Sequence, residues 1–157
     1  MSASLEARIT RLEDIEAIKS MVVTYARGAD RKNDPEILAP LYTEDAVWEA
    51  EGFGRHEGIA AISTAMVEVA RETILWSLHY MVSPEVKIAA DGQSAECFWY
   101  LWELAKMPDG DGNPEDNVIG GWYETTLVKT ADGWRFNYVK LCLKLITPAH
   151  QAWKTLP

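Results

Sequence analysis

Ser94-Ala95-Glu96-Cys97-Phe98-Trp99-Tyr100-Leu101-Trp102-Glu103-Leu104-Ala105-Lys106 alternates two sets of side chains, and that alternation decides the fold. One set is Cys97, Trp99, Leu101 and Glu103; the other is Phe98, Tyr100, Trp102 and Leu104. Successive side chains of a strand point to opposite faces, so each set lines one face. Both faces are apolar. A monomer ordinarily leaves one face of such a strand polar, so the pattern predicts one face on an interior cavity and the other against a second subunit.

The same period of two continues downstream, in Asn117 to Thr130 and in Trp134 to Ile146, joined through Ala131-Asp132-Gly133. Met107 to Asp116 holds two prolines, two glycines and four acids, which predicts a mobile loop at the end of a hairpin. Upstream, Leu75 to Val82 and Glu85 to Ala89 are strand material broken by Pro84, with Asp91-Gly92 as a hairpin turn.

Before Leu75 the period changes. Ile9, Leu12, Ile15, Ile18, Val22, Tyr25, Ala26 and Ala29 recur at steps of three or four, one stripe on a helix from Leu5 to about Asn33. Asp34-Pro35-Glu36 restarts the chain with a cap, a proline and an acid, for a short helix through Leu41. Ala46 to Ala50 reads as a strand, Gly52 to Gly58 as a glycine-rich turn, and Ile59 to about Arg71 as a third helix.

Helices first and an antiparallel meander after them give an α+β layout. A sheet with helices on one face curls around them, which predicts a conical α+β barrel: a curved, mostly antiparallel sheet wrapped around a long N-terminal helix and two shorter helices. No repeat or linker divides residues 1–157, which read as one domain.

A 48% hydrophobic composition with seven tryptophans, six tyrosines and three phenylalanines exceeds what a minimal core needs, so some rings line a cavity. The net charge of −9 argues against nucleic acid and against an anionic membrane surface as partners, because both repel it. A small hydrophobic ligand fits better. Cys97 and Cys142 form no C-x-x-C pair, and one disulfide between them stays open. Met1 to Thr10 lacks a basic segment followed by an apolar one, and no apolar run reaches membrane-spanning length, so a soluble cytoplasmic protein is expected. Gly52-x-Gly54-x-x-x-Gly58 is one residue too long for a dinucleotide loop and lacks a parallel β-α-β unit around it. His56 and Glu57 have no H-x-H or H-x-x-x-H partner, so neither cofactor nor metal is expected.

Two residues carry the chemistry. Asp30 ends the first helix, and His79 sits in the strand-like run Trp76-Ser77-Leu78-His79-Tyr80-Met81-Val82. If the helix end meets that strand, Asp30 can hold the imidazole while its other nitrogen acts as a base; otherwise the pair is a structural hydrogen bond. Tyr25 lies about one turn before Asp30, and Lys140 and Lys144 alternate onto one face of the last strand. A tyrosine or lysine pointing into an apolar cone can steady an oxyanion.

The helix ending Gly28-Ala29-Asp30, Asp45-Ala46-Val47-Trp48, His79-Tyr80, Ile119-Gly120-Gly121-Trp122-Tyr123, Asp132-Gly133-Trp134-Arg135-Phe136 and Thr147-Pro148 together resemble the SnoaL-like branch of the nuclear-transport-factor-2-like superfamily. The resemblance covers nearly the whole chain and is nearest to hexachlorocyclohexane dehydrochlorinase and scytalone dehydratase. It implies that Asp30 orients His79, which removes a proton during an elimination, and that Trp48, Trp99, Leu101, Ile119 and Tyr123 are pocket walls. No second histidine stands where scytalone dehydratase has one. The expectation is a cofactor-independent lyase that expels water, halide or an aldehyde such as formaldehyde from a small, hydrophobic, aromatic substrate, including lignin-derived diaryl compounds. Tyr25 or Lys140 would support the developing charge, and the protein would be a homo-oligomer, dimer or trimer. The alternatives are a ring isomerase, a polyketide-cyclase-like enzyme, or a non-catalytic subunit similar to the small subunit of a ring-hydroxylating dioxygenase.

Overall fold

A computed structural model of the chain describes residues 4–157. Helix α1, Leu5–Asp30, opens on Ser4, whose hydroxyl accepts from the Ala7 N–H at 3.1 Å. Its buried side chains fall in the second half, at Ile18, Val22, Tyr25 and Ala29, with Ile15 packed against the core just before them. Every residue from Leu5 to Glu13 is exposed, so Ile9 and Leu12 of the expected stripe lie outside it. Asp14 ties the helix to the sheet by accepting from Trp134 Nε1 at 2.9 Å and pairing with Lys129 at 2.8 Å.

The helix stops at Asp30 because Lys32 and Asn33 turn to positive φ, 63° and 53°, and Asp34 N–H closes on the Gly28 carbonyl at 3.0 Å. Asp34 then caps the four-residue helix α2, Pro35–Leu38, by accepting from Glu36 N–H at 2.9 Å; a single 3-10 turn follows to Leu41. Gly28 makes this corner possible. A Cβ there would stand 2.6 Å from Leu38 Cδ2.

Six strands form one sheet in the order β2-β1-β6-β5-β4-β3. They are β1 Tyr42–Ala50, β2 Gly54–Glu57, β3 Trp76–Ile88, β4 Ser94–Pro108, β5 Pro114–Thr130 and β6 Gly133–Pro148, with helix α3, Ile59–Glu72, between β2 and β3. Neighbours are antiparallel except β1 and β6, whose parallel pairing sets Trp48 beside Val139. The sheet is thus mostly antiparallel and the fold is the conical α+β barrel expected.

Three local expectations are corrected. The glycine-rich segment contributes strand β2, its chain reversal taken up at Gly52 and Gly54 with φ of 82° and 86°. Pro84 does not break β3: Ser83 takes φ of 55° and the register slips between Val82 and Glu85, a bulge that bends one continuous strand. The segment Met107 to Asp116 is half strand, since β4 and β5 pair out to Pro108 and Pro114. Only a short turn remains, in which the Asp109 carboxylate accepts from Asp111 N–H at 2.9 Å and Asn113 N–H at 2.8 Å.

The inner face of β4 is buried at Cys97, Trp99, Leu101, Glu103 and Ala105. Phe136, Val139 and Leu141 of β6 and Ile62, Met66 and Ala70 of α3 complete the core around α1. The two cysteines are free. Cys97 faces inward, whereas Cys142 lies between the buried Leu141 and Leu143 and so on the opposite face, which closes the disulfide option. No helix among the described residues is long and apolar enough to cross a membrane.

Candidate active site

The corner after α1 sets Asp30 against the start of β3. Its Oδ1 accepts from both the backbone N–H and the ring Nδ1 of His79, each at 2.8 Å. A carboxylate can only accept, so Nδ1 carries the proton and, in the neutral ring, Nε2 carries the lone pair. The His79 side chain is 10% exposed and that of Asp30 27%. The backbone bond fixes where the ring begins and the side-chain bond fixes its rotation.

Nε2 faces Glu103 of β4, the cross-strand partner of His79, with Oε2 at 3.4 Å. Glu103 has a side chain only 3% exposed, and its Oε1 is buried without a hydrogen-bond partner. Burial pushes its carboxyl above the ordinary glutamate range; the His79 ring opposes this shift and Asp30 adds to it.

Behind this pair lies a narrow cavity between α1, α3 and the inner face of the sheet. His79, Glu103, Tyr25, Trp48, Ile119 and Tyr123 line it, together with Phe53, Met66, Ile74, Leu141 and Leu143. A second, more polar cleft beside it is bounded by Asp30, Lys32 and Ser77 and shares His79 and Glu103 as its wall. Asn33, common to both, donates to the Met66 carbonyl at 2.8 Å and so ties the helix corner to α3. A larger concavity on the outer face, lined by Glu85, Lys87, Glu96, Phe98, Glu124 and Tyr138, is open and charged and lies away from Asp30 and His79.

Tyr25 is fully inside. Its hydroxyl accepts from Trp48 Nε1 at 3.0 Å, and its ring packs edge-on against Tyr123, centroids 5.7 Å apart. Burial raises the phenol of Tyr25, while hydrogen bonding by Tyr42, Trp48 and Tyr123 opposes the shift. The hydroxyls of Tyr42 and Tyr123 are raised further, again through burial first. All three enter any reaction as neutral phenols.

The remaining sequence-named residues fall elsewhere. Trp99 is wholly buried behind the cavity wall, stacked on Tyr123 at 5.0 Å, and Leu101 is likewise core. Neither borders the cavity. Lys140 is exposed on the outer face of β6, flanked in register by Glu49 and Glu124. It does not reach the cone, because the strand alternation that buries Val139 and Leu141 turns it outward. The residue that sequence reasoning placed on the right face but gave no role is Glu103. A lone acid in the inward register of an apolar strand was the available clue, since a buried charge is costly unless it is used or paired.

The sequence profile of the SnoaL-like domain matches residues 10–140. No protein of curated function matches the chain. Among solved structures, hexachlorocyclohexane dehydrochlorinase LinA-type3 from Novosphingobium barchaimii superposes with a TM-score of 0.82 at 18% identity, covering 96% of this chain and 99% of that one. A candidate scytalone dehydratase from Novosphingobium aromaticivorans gives 0.77 at 23% identity, covering 94% and 95%. A candidate aromatic ring hydroxylase from the same species gives 0.74 at 21%, covering 92% and 94%. At these identities the structural likeness is one of fold. The profile runs from α1 into β6 and takes in the helix corner, β3 and β4, and on that match the chain belongs to the SnoaL-like domain family.

Proposed function

We propose that this protein is a cofactor-independent lyase in which His79 removes a proton from a small, hydrophobic, aromatic substrate and a group departs from it. The observation that carries the reading is the Asp30 contact to Nδ1, which leaves Nε2 as the free ring nitrogen of a residue lining a narrow, mostly apolar cavity. Asp30 fixes the tautomer and stabilises the imidazolium that forms; Tyr25, a neutral phenol on the same wall, steadies charge developing on the substrate. Proton removal and departure of water, an aldehyde or halide are acid–base steps that side chains can carry, so the reading calls for no cofactor.

The test is turnover of aromatic diols, phenolic ethers and halogenated rings followed by product mass. A loss of mass marks a lyase; unchanged mass marks an isomerase and overturns the elimination. His79→Ala lowers kcat by about 10²- to 10⁴-fold, the usual worth of a positioned base, while thermal unfolding stays close to wild type. Wild-type turnover in that variant removes the base from the mechanism.

We also propose a homo-oligomer joined through the outer face of β3 and β4. Trp76, Leu78, Tyr80 and Val82, with Tyr100, Trp102 and Leu104, are all more than a third exposed there. That row is unusual on a chain carrying a net charge of −9.

A further inference from the structure

Glu103 is unusual in three respects at once. It is the cross-strand partner of His79 with Oε2 3.4 Å from Nε2, it is almost wholly buried, and its Oε1 has no partner although it stands on the shared wall of the cavity and the polar cleft. A carboxyl serving only to hold the ring would not need that second oxygen left over, and Asp30 already fixes the ring from the other side. A buried polar atom without a partner weighs against folding, which makes its retention a mark of use.

We propose that Glu103 is the general acid of this site, giving a proton to an oxygen leaving group on the same face of the substrate from which His79 takes one. The inference rests on the elimination reading above and narrows it. The substrate C–H bond breaks, its proton goes to His79 Nε2 and its electron pair becomes the new carbon–carbon π bond. The C–O bond breaks, its pair stays on oxygen, and the oxygen takes the Glu103 proton and departs as water. The site is left with an imidazolium beside a carboxylate, and return of the proton from Nε2 to Glu103 restores the starting state. Burial, which raises the carboxyl's hold on its proton above that of an ordinary glutamate, supports this assignment. Acid and base stand too close together to work from opposite sides of a substrate, so the elimination is syn. Halide departs as a stable anion and gains little from an acid, whereas hydroxide must be protonated. The chemistry thus favours a hydroxyl-bearing substrate.

The experiment compares an aryl β-hydroxy ketone with its O-acetyl ester, which yield the same conjugated enone. Glu103→Gln is expected to lower kcat on the hydroxy ketone by about 10²-fold or more while leaving the ester, whose acetate needs no proton, within a few-fold of wild type. His79→Ala should slow both. Equal slowing of the two substrates by Glu103→Gln, or no slowing of either, overturns the acid assignment. Wild-type rates with His79→Ala overturn the elimination reading itself, so the two failures are separable. Glu103→Asp keeps an acid one methylene further back and supplies an intermediate leaving-group dependence should the amide not fold. Independently of substrate, the infrared difference between wild type and Glu103→Gln at neutral pH should contain the carbonyl band of a protonated carboxyl. Its absence also overturns the proposal.

Discussion

Asp30 uses a single oxygen for both donors of His79, and this separates position from charge. Asn at position 30 can still present an oxygen to both donors but cannot stabilise an imidazolium. Asp30→Asn should therefore lower kcat by about 10²-fold or more with little loss of stability, read by steady-state kinetics beside thermal unfolding. Tyr25 is different, because it is built into the core. Removing its hydroxyl leaves Trp48 Nε1 buried and unpaired, so Tyr25→Phe should destabilise by about 1–3 kcal/mol in urea titration. Glu103 gives a pH signature. Burial raises its carboxyl, so the folded protein keeps a proton that the unfolded chain releases once pH passes the ordinary glutamate value of 4.5. The unfolded state then binds fewer protons, and stability falls as pH climbs from that value through the raised one. Urea midpoints of wild type should decline relative to Glu103→Gln across that window; parallel curves would mean that Glu103 is ionised in the folded state.

At the scale of elements, two close approaches shape the site. Gly28 lets α2 fold under the end of α1, which delivers Asp30 to β3. Gly121 lets β5 and β6 meet: a Cβ there would lie 2.2 Å from the Cys142 backbone carbonyl, a contact that no side-chain rotation relieves. Gly121→Ala should cost about 3 kcal/mol or more and disturb the wall at Ile119, whereas Gly28→Ala meets the side chains of Leu38 and Ile37 rather than backbone and should cost less. Thermal unfolding of the two variants checks the order. Helix caps, the bulge at Ser83 and the turn at Asp109 are local devices, and each follows from short-range hydrogen bonding or backbone conformation.

For the whole molecule, the decisive asymmetry is between the two faces of β3 and β4. The inner face makes the cavity; the outer face carries a row of half-exposed aromatic and aliphatic side chains. If copies of the chain join there, Tyr100→Lys combined with Leu104→Glu should shift the protein to monomers in sedimentation equilibrium, with His79 chemistry retained because these side chains point away from it. A wild-type protein that sediments as a monomer would remove the oligomer proposal.

The sequence by itself determined what depends on neighbours in the chain. The period of 3.6 gave way to a period of two, Asp34-Pro35 stopped one helix and began another, and the alternation in β4 assigned Trp99 and Glu103 to one face and Tyr100 and Trp102 to the other. Those rules are local, so Asp30 at a helix end and His79 in a strand were legible too. Their contact at 2.8 Å was not, because it spans forty-nine positions and depends on how α1 crosses β3. The exposed first turns of α1 and the outward turn of Lys140 escaped for the same reason: periodicity names a face without saying what covers it. Glu103 is the clearest case. Its inward register was written in the strand, but the orphaned oxygen, the raised carboxyl and the nearness to Nε2 exist only where β3 pairs with β4 inside a closed cone.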